Sequence, residues 1–292
     1  MDTVVLIQVL IGGVLLGGLY ALVAFGLSLI YGVARILNFA HGTLLAVGGV
    51  AAAVIYAKTG WSPVVVIVVL IPVYLLFGWV FYDVALRPLT KRSHIESIVG
   101  TVLVTVGALI ILSDIAALLA GPTPKKIQTN FEMLELGEVL LSTTQLYILL
   151  AIAALTVVLH VLLKRTWFGH AMRAVTQDAT GAAICGVRAS VVNSATFAFG
   201  SAIVAVAAVP YAMLFPIDPY AGFSLTVKAF TIIILGGVGN LAGALAAGLF
   251  LGVAEAFTAF FWAPEWAPAL SIILLLVILL VFPQGVFARR GA

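Results

Sequence analysis

The stretch SPVVVIVVLIPVYLLFGWVFYDVAL, residues 62–86, runs for twenty-five positions with a single charge, Asp83, near its far end. A bilayer core about 30 Å thick is crossed by about 20 apolar residues in a helix. Only a helix or a closed barrel satisfies its own backbone hydrogen bonds there. Six further segments meet the requirement: 4–31, 38–57, 95–120, 143–163, 189–214 and 267–283. A longer apolar tract, 223–262, exceeds one crossing at about 1.5 Å rise per residue. Gly236-Gly237-Val238-Gly239-Asn240 interrupts it, which predicts two helices, or one helix and a re-entrant half.

The composition agrees with that reading. Of 292 residues, 64% are apolar and 9% charged, against roughly 25% charged in soluble domains. Too few charges are present to cover a water-facing surface, so lipid is the expected solvent. The expected fold is an all-α polytopic transmembrane helical bundle of eight or nine spans, with discontinuous or re-entrant segments. Residues 1–292 are read as one transmembrane domain. The N-terminus lacks a charged leader and a small-residue cleavage site, so the first apolar segment is expected to be a span.

Charge placement sets the expected orientation. Arg35, Arg87, Lys91, Arg92, Lys164, Arg165, Arg173, Arg188, Arg289 and Arg290 fall in one set of loops, and Lys58, Lys125, Lys126 and Lys228 in the other. Basic loops stay inside, which predicts an outer N-terminus and a cytoplasmic C-terminus. Three crossings after residue 222 then give nine spans. Basic residues confined to short loops leave no face for nucleic acid.

Two loops are long enough for local structure. The outer one, 121–142, carries Glu132, Glu135 and Glu138 in a three-residue rhythm, predicting a short surface helix, either solvated or touching an external partner. The inner one, 164–188, has Asp178 where a negative charge suits a helix start and Gly186 where a glycine ends one. A short helix of small residues there either slots into a groove on another protein or serves as an interfacial connector.

Polar and glycine-rich breaks inside apolar segments mark pathways or close packing. Asn38, His41 and Gly42 lie at the first handover between spans, and Gly236, Gly237, Gly239 and Asn240 at the late one. Broken helices in the two halves of a transporter line a solute path. Gly13-x3-Gly17, Gly239-x3-Gly243 and Gly248-x3-Gly252 equally fit close helix packing, and both readings stand. His41 is a helix-end hydrogen-bonding group or a proton relay. Glu255, the deepest carboxylate, either binds a coupling ion or reaches the interface. Asp83 and Asp114 lie close enough to span ends to snorkel.

Several chemistries have no residues to carry them. One cysteine, Cys185, and scattered histidines offer no disulfide framework or metal-ligand spacing. No phosphate-cradling Gly-x4-Gly-Lys-Ser/Thr, Gly-x-Ser-x-Gly or His-Glu-x-x-His occurs. No enzyme activity and no bound cofactor or metal are expected of this chain.

In order along nearly its whole length, the chain resembles the permease subunits of branched-chain amino acid ABC importers, the LivH family. The resemblance is carried by GLYALVAFGLSLIYGV (18–33), LNFAHG (37–42), FGHAMRAV (168–175) with Asp178 and Gly186, LGGVGNLAGA (235–244) and FPQGVF (282–287). Thr180-Gly181 departs from the commoner wording of the inner loop. The resemblance implies a second paralogous permease, two cytosolic ATPase subunits holding ATP and magnesium, and an external periplasmic solute-binding protein. It also implies that 164–188 couples to the ATPases through Phe168, Gly169, Arg173, Asp178 and Gly186. Asn38, His41, Gly42, Gly236, Gly237, Gly239 and Asn240 remain the pathway candidates. The small-molecule cargo is a branched-chain or related amino acid, or, as among relatives, urea, short amides or aromatic carboxylates. A self-sufficient carrier or channel is the competing class, and it would call for paired intramembrane acids.

Overall fold

The computed structural model describes residues 3–128, 133–136 and 139–281. Helix α1 spans Thr3–Ala34, α2 His41–Thr59, α3 Pro63–Phe81, α4 His94–Ala120 and α5 Thr143–Arg165. Two short helices follow, α6 Trp167–Gln177 and α7 Ala179–Ile184. The chain then continues as α8 Ala189–Leu214, α9 Gly222–Gly236, α10 Leu241–Phe261 and α11 Trp266–Val281. Seven of these are long and apolar enough to cross a membrane, and α9 and α11 are shorter apolar helices. Against the eight or nine spans expected, the described residues hold nine apolar helices, α1–α5 and α8–α11, of which seven have the length of a span. The fragment Phe282–Phe287, Arg289 and Arg290 lie outside the described residues.

The outer loop corrects one expectation. Met133–Leu136 and Val139–Ser142 form an antiparallel hairpin, β1–β2, where a surface helix was predicted. Leu134-Glu135-Leu136 alternates apolar and charged residues and Val139-Leu140-Leu141 is a short apolar run, both patterns that suit strands. Ser142 then caps α5 in a reciprocal box with Gln145.

Helices α1 and α8 form the centre. In α8, 72% of the most apolar window is buried, against 22% in α3, α4 and α5. Peripheral helices that are apolar on all sides belong against lipid. The α1–α10 seam runs through Gly13, Gly17, Gly248 and Gly252, with backbone meeting backbone, as small-residue spacing predicted. Helix α3 lies antiparallel on α8, where Tyr82 meets Phe197 and Gly78 faces Phe197–Ser201.

These contacts form an inverted repeat. Helix α1 packs most extensively on α10 and α3 most extensively on α8; α2 sits on α4 as α9 sits on α11; α1–α8 and α2–α9 meet across the pseudo-axis. The triplet α1–α2–α3 therefore corresponds to α8–α9–α10 with reversed direction, the architecture in which membrane carriers place their sites between repeats.

Candidate functional site

Helix α2 starts inside the bundle. His41 Nε2 donates to the carbonyl of Val23 at 3.0 Å, eleven residues before the end of α1, or about 16 Å along it. Residues 35–40 therefore turn back into the interior after Arg35, which adopts φ 57°. Asn38 is buried and its side chain accepts from Ala40 N–H at 3.1 Å, a turn that starts α2.

The equivalent break lies at 215–221, one element before the glycine run predicted from sequence. Asp218 accepts from Tyr220 N–H at 2.7 Å, matching Asn38, and α9 begins at Gly222 as α2 begins beside Gly42. The sequence does hold this signal, because Asn38-x3-Gly42 recurs as Asp218-x3-Gly222 after a long apolar helix.

The two half-helices meet at their N-terminal turns. Gly42 N–H donates to Thr226 Oγ1 at 2.9 Å, and that hydroxyl donates to Phe39 O or Gly222 O, each at 2.9 Å. A side chain on Gly42 would collide with Thr226 N and Gly222 O, and one on Gly222 with Thr43. His41 and Thr43 are fully buried beside this seam, and His41 Nδ1 and Thr43 Oγ1 have no hydrogen-bond partner. The gap between Tyr20, Val23, Leu45, Leu225 and Ala229 has no room for a water molecule.

Gly236, Gly237, Gly239 and Asn240 form a tight turn between α9 and α10. Gly237 and Gly239 take φ 83° and 76°, Asn240 caps α10 by accepting from Gly243 N–H at 3.1 Å, and Gly239 N–H reaches Ser28 Oγ at 3.0 Å. The turn thus rests on α1 near its C-terminal end, away from the seam.

Lys228 was counted among the outer-loop cations, which the structure corrects. It lies within α9, 8% exposed, and its ammonium donates to Glu255 Oε2 at 2.8 Å and Tyr20 Oη at 2.6 Å. Tyr20 Oη donates to Glu255 Oε2 at 2.9 Å, Ser271 Oγ donates to Glu255 Oε1, and Lys228 Nζ sits 4.7 Å from the Tyr20 ring centroid. Burial of an ion pair is tolerable only with its remaining hydrogen bonds met. Here α1, α9, α10 and α11 each supply one member. Glu255 is therefore partnered rather than solitary, and it does not reach the interface.

Within the 164–188 loop, α6 precedes the short helix that the residue chemistry predicts after Asp178. The apolar face of α6, Phe168, Ala171, Met172 and Val175, has the i, i+3, i+4, i+7 spacing of an amphipathic helix. Phe168 meets Phe199 of α8 edge-on at 5.8 Å. Thr166 caps α6 through Gly169 N–H at 3.3 Å, and Arg173 donates to Leu163 O of α5. The expected small-residue helix is α7. Asp178 caps it through Thr180 N–H at 2.9 Å. Gly186, at φ 83°, ends it with the paired bonds Gly186 N–H to Ala183 O and Val187 N–H to Ala182 O, the Schellman arrangement. Trp167, Ile184 and Cys185 stand exposed on this platform.

Residues 9–279 match the family described as branched-chain amino acid transport system permease component. The chain is 30% identical to the high-affinity branched-chain amino acid transport system permease protein LivH of Escherichia coli K12, over 83% of this chain and 82% of that protein. It is 31% identical to BraD of Pseudomonas aeruginosa, over 83% of each, and 28% identical to a probable LivH of Methanocaldococcus jannaschii, over 82% and 77%. The solved structure of PsaBC from Streptococcus pneumoniae in complex with Fab shares the fold at 12% identity and TM-score 0.52, covering 98% of this chain and 94% of that one.

Proposed function

We propose, from the premise that this chain belongs to the branched-chain amino acid transport permease family, that it translocates branched-chain or related amino acids as one permease subunit of an ATP-driven importer. The observation that carries this is the family match across the region holding both half-helices and the α6–α7 platform. In this reading a second, paralogous permease sits beside it in the inner membrane, two cytosolic subunits hydrolyse ATP, and an external binding protein delivers the amino acid. The close packing of Tyr20, Val23, Leu45, Leu225 and Ala229, which leaves no room for water between them, favours a path along an interface with the second permease. Asn38, His41, Gly42, Gly236, Gly237, Gly239 and Asn240 set the backbone turns that shape the wall of that path. The α6–α7 platform receives the push of the ATPases through Phe168, Gly169, Arg173, Asp178 and Gly186.

The test is reconstitution of the complete importer in vesicles. Radiolabelled leucine is expected to accumulate only with ATP and binding protein, and excess urea or benzoate leaves uptake unchanged. Solute movement down an ion gradient by the purified chain alone would overturn the reading.

Gly186→Pro probes the platform. Proline is locked near φ −65°, whereas Gly186 is at +83°, so α7 loses its terminating turn. Leucine uptake is expected to fall about tenfold, equivalent to about 1.4 kcal/mol, while immunoblotting shows normal membrane abundance. Uptake equal to the unaltered protein would remove α7 from the coupling path.

A further inference from the structure

Each half-helix of the inverted repeat is tied to the third helix of its own repeat by a buried polar contact. In the first repeat, Tyr74 of α3 donates to Leu44 O of α2 at 2.8 Å, beside Gly48. In the second, Glu255 of α10 holds Lys228 of α9, and the tie extends to Tyr20 of α1 and Ser271 of α11. One tie is neutral; the other is ionic.

Adhesion alone does not explain the ionic choice. Both charges lose their hydration, and a well-packed apolar pair of similar volume is commonly as stable or more stable. A closed polar set adds direction instead. Lys228, Tyr20, Glu255 and Ser271 satisfy one another only at one rotation and one depth of α9. Thr231, one turn further along α9, repeats the constraint by donating to Ser271 O at 3.2 Å. The same helix, within its two preceding turns, presents Gly222 and Thr226 to Gly42 and Thr43 at the seam. A 15-residue helix this short transmits a rotation at Lys228 to Gly222 undiminished, and the seam tolerates none.

We infer that Tyr20, Lys228, Glu255 and Ser271 are positioning residues for transport: they fix the rotation and depth of α9, and through α9 the meeting of the two half-helices. This rests on the permease reading above.

The intact importer, reconstituted as before, is compared with two variants of this chain. Lys228→Met combined with Glu255→Leu removes both charges together. Its abundance is expected to match the unaltered protein, with any loss of thermal stability confined to the Tyr20 and Ser271 hydroxyls that lose these partners, while leucine transported per ATP hydrolysed falls about tenfold. Tyr20→Phe keeps the ring beneath the ammonium and removes one hydroxyl, and transport per ATP is expected to fall about threefold at unchanged abundance. Wild-type transport per ATP in the double variant overturns the inference. Should the double variant fail to accumulate, Tyr20→Phe decides alone, and an unchanged ratio there overturns it too. Absence of ATP-dependent uptake by the unaltered complex defeats the permease reading instead, a result distinct from normal uptake with insensitive variants.

Discussion

Gly42→Ala is expected to abolish amino acid uptake while leaving the chain inserted in the membrane. An added Cβ would press on Thr226 N and Gly222 O, backbone atoms that have no rotamer to escape into, and would lie 2.6 Å from Thr226 Oγ1. The half-helices must then separate, costing about 1–3 kcal/mol of overpacking. The Gly42 N–H to Thr226 Oγ1 bond is lost as well, at about 1 kcal/mol. A change of that size breaks a local seam without unfolding nine packed helices. Gly222→Ala, whose Cβ meets Thr43 Cα at 2.7 Å, is expected to behave alike, because the same contact is struck from its other side. Gly107→Ala in α4 is the control, since nothing lies within 4 Å of it. Uptake of labelled leucine, read with abundance and thermal stability, checks all three. Normal uptake in Gly42→Ala would mean that the seam is not part of the transport machinery.

The severity of that substitution could not be read from sequence. Gly42 was legible as a special glycine, but its partner is 180 positions away at Gly222, and no window of hydropathy reports a contact at that range. Depth is hidden in the same way. Ile36, Leu37, Phe39 and Ala40 are as apolar as the helices around them, so the re-entrant segment merges into a continuous span. Lys228 shows the opposite failure. A cation beside Asp218 and Tyr220 looks like loop, and only the fold supplies the Glu255 that permits it inside. Local rules fared better. The α7 caps at Asp178 and Gly186 depend on residues within a few positions of one another, and they are found where residue chemistry placed them.

Gly169→Val is expected to sever ATP hydrolysis from transport, because Gly169 sits where α5 turns into α6 with no space for a side chain. A Cβ there would strike Leu163 O and lie 2.5 Å from Leu163 C and 2.7 Å from Leu163 Cα. The same carbonyl oxygen accepts from Arg173, and Gly169 N–H is the donor to the Thr166 cap. One substitution therefore dislodges the cap, the arginine and the elbow together. Beyond the elbow, α6 is held to the bundle by Met172, Val175 and the Phe168–Phe199 contact. A force applied to α6 consequently reaches α5 and α8 through these contacts while α6 keeps its angle. With branched bulk at 169, overpacking of about 1–3 kcal/mol swings α6 away and the bundle no longer receives the stroke. Leucine uptake is expected to drop more than tenfold in the reconstituted importer, with basal ATP hydrolysis retained and its stimulation by loaded binding protein lost. His170→Ala, on the exposed face of the same turn, is expected to leave both readings near normal. Were Gly169→Val to transport normally, the elbow would be free to bend without consequence, and the path from the ATPases would have to enter the bundle elsewhere.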